Sequence, residues 1–359
     1  MSNIIPFNKE NLKKLFSKEF LIVLLISFPS AIIADFFNIP LAWMIGPMIV
    51  ISFAALKGLK IIMPRLALSG TLIILGLHIG HYIDQNLINQ MINWTWTTVI
   101  MFFYILVSIV IVSKYLQKFA NYKNKTSIFS AAPGALAPLM ILAEYEKSDL
   151  SQVATSHLIR LIIIITVFPF FIVNLISTEA LEIEKFDYLG QNHFELLILI
   201  IASVILILIF DKIKVPAALL SGTLFASGVL QISDIASYKL PEETINFCLL
   251  ILGASVGCRF IDKTMKEVIR NTFHSFVATI LLVILGLFAA YMATFFVDNN
   301  FLTLVLSFCP GGIYEVAVIA IAFDLDPSFV SFHHIIRLLF ILFTVPIFLK
   351  IINKFNLKN

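Results

Sequence analysis

Residues 128–170 read IFSAAPGALAPLMILAEYEKSDLSQVATSHLIRLIIIITVFPF, and residues 305–347 read VLSFCPGGIYEVAVIAIAFDLDPSFVSFHHIIRLLFILFTVPI. Laid over each other without a gap, at a spacing of 177, the two stretches match at 13 of 43 positions. A match of Leu with Leu would carry little between apolar segments. These matches include Asp149 with Asp326, His157 with His334 and Arg160 with Arg337, residue types that a bilayer interior penalises. Each copy sets a Pro-Gly pair, Pro133-Gly134 or Pro310-Gly311, in one apolar segment and a His-x-x-Arg pair in the next. Proline removes a backbone donor and glycine loosens the turn, so both segments are expected to break as helices. Broken helices, intramembrane charge and an internal repeat together are how secondary transporters build a binding site.

The repeat extends upstream. Asp35, Pro40, Ala42 and Gly46 recur at Asp211, Pro216, Ala218 and Gly222 with a spacing of 176, and Gly76 and Gly80 recur at Gly253 and Gly257 with 177. The expected organisation is a first membrane repeat over 1–176, a polar, acidic loop over 177–192 and a second repeat over 193–359. At 60% hydrophobic and 13% charged residues, the chain is too apolar for a soluble globule. The fold class is all-α: a polytopic membrane protein of two homologous halves, inverted relative to each other, with Pro-Gly-broken helices. Cys248, Cys258 and Cys309 are scattered through apolar segments, without a disulfide or zinc spacing, and read as small hydrophobes.

Twelve apolar segments suggest twelve spans, and the basic residues argue otherwise. Twelve plain crossings from a cytoplasmic N-terminus leave 16 Lys/Arg inside and 7 outside. If 128–143 and 301–322 instead enter and return, the count becomes 21 inside and 2 outside, with Arg160 and Arg337 in the membrane. An odd number of crossings per half then inverts one repeat against the other. Trp94 and Trp96 are expected to anchor at an interface.

The duplicated Pro-Gly and His-x-x-Arg, with Trp43-Met-Ile-Gly46-Pro47 in the first half and Pro216-Ala-Ala-Leu-Leu-Ser-Gly222 in the second, resemble the AbrB family of bacterial membrane proteins. This duplicated membrane family is distinct from the small DNA-binding regulator of the same name. The resemblance runs from about residue 20 to 350. It implies a multi-pass protein of the bacterial inner (plasma) membrane, related by fold to cation/proton antiporters and bile-acid-type transporters. Family members are described variously as ammonia monooxygenases or regulators of gene expression. One departure stands out: Pro310-Gly311-Gly312 keeps a third-position glycine where the first copy has Ala135.

The candidate site follows from these motifs. Pro133, Gly134, Pro310, Gly311 and Gly312 leave backbone groups for a substrate or ion to meet. His157 with Arg160, and His334 with Arg337, each share a helix face at a spacing of three. A buried arginine must face protein or water, and lining the site competes with snorkelling from a helix end. Glu315 lies in an apolar segment where the first copy has Pro138; it suits a proton-coupled or cation-binding role unless it forms a fixed ion pair with Arg337 or Arg160. Tyr314 is a neighbouring polar contact. Glu144 reads as solvated. His78, His81 and Asp84 share one helix face, and without a complementary ligand elsewhere they make thin evidence for a metal.

The expected function is a secondary transporter of a small solute with proton or cation coupling, and not an enzyme. The alternative is a membrane-embedded regulator acting indirectly, because no helix-turn-helix, basic arm or soluble domain is present to touch DNA. An oxygenase is disfavoured by the lack of a copper or iron constellation. No cofactor or metal is expected. The expected partners are the lipid bilayer and a small-molecule or ion substrate, with no direct nucleic acid and with a homo-oligomer left open.

Overall fold

The computed structural model describes residues 9–83, 93–134, 136–175, 193–213, 215, 217–261, 263 and 265–356. The loop expected over 177–192, Ala135 and Asp84 lie outside them. Among the described residues every regular element is a helix: α1 (Lys9–Leu15), α2 (Lys18–Phe36), α3 (Ala42–Leu56), α4 (Arg65–His81), α5 (Thr95–Ala120), α6 (Asn124–Ala131), α7 (Leu136–Tyr145), α8 (Leu150–Leu175), α9 (His193–Lys212), α10 (Ala218–Ile232), α11 (Glu242–Cys258), α12 (Met265–Ala293), α13 (Phe301–Phe308), α14 (Ile313–Ala322) and α15 (Pro327–Asn356). Six of them, α2, α5, α8, α9, α12 and α15, are long and apolar enough to cross a membrane.

The helices form two compact units, and each unit takes helices from both sequence halves. One holds α2, α3 and α4 with α9, α10 and α11; the other holds α5 to α8, the last as far as Phe168, with α12 to α15. In the first unit α3 packs on α11 and α4 on α10, so each helix meets a partner from the other half. The recurring glycines set these contacts. A Cβ on Gly253 of α11 would collide with the Met44 carbonyl of α3, and one on Gly76 of α4 would come within 2.8 Å of the Leu220 carbonyl of α10. Small residues spaced by four let two helices pack backbone to backbone. α3 and α10 also start alike, from left-handed residues at Leu41 (φ 51°) and Ala217 (φ 54°).

The second unit contains the two breaks. α6 and α7, of 8 and 10 residues, are each too short to cross a bilayer, and so are α13 and α14, also of 8 and 10. Both pairs double back as hairpins. Lys125 Nζ, at the start of α6, meets Glu146 Oε2, just past α7, at 2.6 Å, and the Asp149 amide donates to Thr126 Oγ1 at 3.1 Å. Asn299 Nδ2, before α13, lies 3.5 Å from Asp326 Oδ2, beyond α14. The expectation that 128–143 and 301–322 enter and return therefore agrees with the contacts at their ends. The first hairpin opens where α5 finishes, since Ala120 is four residues from Asn124; the second opens where α5 begins, beside Trp94, Thr95 and Trp96.

The two tryptophans differ. Trp96 is exposed and stacks on Phe296 with centroids 5.6 Å apart. Trp94 corrects the expectation of an interfacial anchor: it is buried, with its ring packed on Phe329 at 5.0 Å and Phe332 at 5.2 Å. Glu144 is exposed, as expected.

Candidate functional site

The sequence breaks both hairpins by the same means. A residue before proline is pushed out of the α region, and Ala132 (φ −59°, ψ 127°) and Cys309 (φ −60°, ψ 132°) are both extended. α6 and α13 thus stop one residue earlier, and their last carbonyls lose intrahelical partners. Gly134 then turns with φ 126°, a conformation open to glycine.

The His-x-x-Arg pairs satisfy those carbonyls. His157 Nε2 donates to the Phe129 carbonyl at 2.9 Å, and His334 Nε2 donates to the matching Leu306 carbonyl at 3.0 Å. Arg160 donates from Nη1 to the Ala132 carbonyl at 2.5 Å and from Nη2 to the Ser130 carbonyl at 2.6 Å. Arg337 donates from Nη1 to the Cys309 carbonyl, and from Nη2 to the Gly311 carbonyl at 2.5 Å and to His334 Nδ1 at 3.1 Å. Four of these contacts, two in each copy, span 28 residues: His to carbonyl, and Nη1 to the carbonyl before proline. A guanidinium at the carbonyl end of a half-helix also meets the negative pole of its dipole. Both arginines and both histidines are buried, which excludes snorkelling.

His334 is held in one tautomer by its partners. A carbonyl only accepts, so Nε2 carries the hydrogen; a guanidinium only donates, so Nδ1 offers its lone pair. One guanidinium also lies beside both tips: a Cβ on Gly134 would come within 3.1 Å of Arg337 Nη2, and that nitrogen holds the Gly311 carbonyl. Tyr104 on α5, which no motif marks, is buried, with its ring edge-on to Phe308 at 6.1 Å between centroids.

Glu315 stands apart from this cap. It lies in the first turn of α14, 2% exposed, and its Oε2 has no hydrogen-bond partner among the described residues. The alternative, a fixed ion pair with Arg337 or Arg160, is not formed: the terminal nitrogens of both guanidiniums donate to carbonyls. The carboxylate instead folds back over Gly312, where any Cβ would collide with it. The third glycine of Pro310-Gly311-Gly312 is thereby explained. Pro133 and Pro310 are buried at the tips, and Tyr314 is half-buried beside Glu315. In the other unit, His81 Nδ1 lies 3.2 Å from Ser237 Oγ.

Fold and site together define a polytopic membrane protein organised around two broken helical hairpins, each capped from the helix that follows it. The chain belongs to the AbrB family, whose model, described as "Transition state regulatory protein AbrB", matches residues 10–353. It is similar to an Escherichia coli (strain K12) protein named "Putative regulator AbrB", with 22% identity over 324 residues covering 90% of this chain and 93% of the relative. It is also similar to "Uncharacterized protein YhjN" of Bacillus subtilis (strain 168), with 21% identity over 360 residues and 92% of each chain covered.

Proposed function

We propose that the protein is a secondary transporter that moves a small solute across the bacterial inner membrane, with Glu315 binding the coupling proton or cation. The observation that carries this reading is the carboxylate itself: buried beside a helix break, with one oxygen unpartnered and no arginine bound to it. An uncompensated buried charge is strongly destabilising. Such a group persists in a membrane protein where its protonation or ion binding is put to use. Two hairpins opening at opposite ends of α5 support the same reading, since an inverted pair of broken helices gives a binding region reachable from either side. The name of the Escherichia coli relative favours a regulatory role instead.

Purified protein in liposomes with an entrapped pH-sensitive dye separates the two. Addition of small carboxylates, amines or alkali cations in turn, across an imposed pH gradient, is expected to give a flux that Glu315→Gln removes. A wild-type protein silent to every class tested, or a flux that keeps its pH dependence in Glu315→Gln, would overturn the transport role of Glu315.

A further inference from the structure

His333 precedes the capping His334, has no counterpart in the repeat, where Ser156 stands at its position, and takes no part in the cap. It is fully buried. Its Nδ1 lies 2.9 Å from the Phe329 carbonyl, which only accepts, so Nδ1 carries a hydrogen. Its Nε2 lies 2.8 Å from Thr97 Oγ1, and that hydroxyl lies 2.8 Å from the Trp94 carbonyl. Thr97 has one hydrogen for two acceptors. When His333 is neutral, the hydroxyl donates to Nε2, and the Trp94 carbonyl keeps the Thr98 amide at 2.9 Å. When Nε2 gains a proton, it donates to Oγ1 and the hydroxyl turns to the Trp94 carbonyl. Rotation of one hydroxyl thus lets the ring take or release a proton with every group still hydrogen-bonded, as buried polar groups require.

The surroundings fit a transient cation. The imidazole is ringed by Phe329 at 4.1 Å, Phe332 at 5.3 Å, Trp94 at 6.1 Å and Phe308 at 6.2 Å, and aromatic faces attract positive charge. Trp94 also lines a cavity of about 680 Å³ at the mouth of the second hairpin, with Asp298 and Asp326 among its walls. Phe308, on the opposite flank, is the last residue of α13 before the break. From α5 and α13 the ring meets Trp94, Thr97 and Phe308, none ionisable. On its own helix its titratable or charged neighbours are His334 and, one turn on, Arg337, whose charge opposes protonation.

We propose that His333 and Thr97 form a second proton-binding site, placed between this cavity and the second break, which passes protons between the open end of the hairpin and the Glu315 region. The site deepens the transporter reading and rests on it for its purpose, but its titration is measurable without any solute.

The test uses the full chain in nanodiscs, with ¹⁵N-histidine labelling and, in a Trp43→Phe, Trp96→Phe background, the emission of Trp94, which an adjacent imidazolium quenches. His333 is expected to appear as an Nδ1–H tautomer, opposite to His157 and His334, and to become doubly protonated as the pH is lowered. Trp94 emission should fall in parallel, and His333→Gln should abolish both changes. Thr97→Val, which keeps the shape and removes the acceptor, should weaken proton binding about tenfold. An imidazole that stays neutral down to the pH at which the fold is lost, or a titration unmoved by Thr97→Val, overturns the site. A wild-type protein without pH-dependent flux would fail the transporter reading and leave this titration to be judged alone. A flux whose pH dependence survives His333→Gln would overturn the relay.

Discussion

The two hairpins share a cap and differ in chemistry. In both, proline forces the preceding residue out of the helix, a histidine takes a carbonyl of the shortened half-helix, and an arginine takes the carbonyl before the proline. They diverge at the tip. The first has Gly134 in a left-handed turn and Pro138 beyond it; the second has Gly312 beneath the carboxylate of Glu315. What the copies share is what a helix needs in order to end inside a membrane. What they do not share, Glu315 and the His333–Thr97 pair, is where function is to be sought. Intramembrane arginine, taken alone, is a poor guide here, since both guanidiniums are occupied by backbone.

The most decisive way to break this comparison is geometric. Cysteines at 125 and 299, at the mouths of the two hairpins, should react with an impermeant thiol reagent from opposite sides, all or nothing, over a low background because the native cysteines are buried. Labelling of both from one side would end the inverted arrangement. Next, Arg160→Met and Arg337→Met each strand two buried carbonyls, at a cost of about 4 kcal/mol, read as a fall in thermal midpoint in detergent. Comparable losses keep the caps equivalent; a far smaller loss at Arg160 would make the first cap dispensable. Glu315→Gln should change stability by less than about 1 kcal/mol, since no ion pair is lost, while flattening the pH dependence of flux. A loss nearer 3 kcal/mol would reveal a charged partner and a structural role. The finest contrast lies between two glycines. Gly134→Ala meets a left-handed φ and Arg337, and should cost about 2 kcal/mol; Gly312→Ala meets only the end of a movable side chain, and should cost about 1 kcal/mol while displacing the carboxylate and disturbing the pH profile.

Much of the fold was legible because the repeat placed helix breakers and charges in one register, and because the lysines rejected twelve plain crossings. The shared face of His157 with Arg160 and of His334 with Arg337 followed from a spacing of three. Their partners did not follow. Sequence shows side chains as candidate partners and hides backbone acceptors, so Glu315 stands out as a candidate mate of Arg337 or Arg160 while the carbonyls 28 and 26 residues upstream of Arg337 go unseen. The sharing of each compact unit between both halves was invisible for a related reason: the recurring glycines mark close contacts without saying which helix makes them. Trp94 was misplaced because aromatic enrichment at interfaces cannot tell a ring facing lipid from one packed under Phe329 and Phe332. Tyr104, Thr97 and His333 belong to no motif, and only their packing brings them to notice.

The direction in which each cap is delivered bears on how the protein is made. Both broken hairpins precede their capping helix in the chain, by 28 residues from carbonyl to histidine. Bare carbonyls in hydrocarbon cost several kcal/mol each, so a hairpin leaving the ribosome has no reason to stay in lipid alone. It must wait at the insertion machinery until α8 or α15 has been synthesised, and then enter with it as one piece. Ribosomes stalled just before His334 should therefore leave the second hairpin accessible from the aqueous side, and those stalled well beyond Arg337 should not.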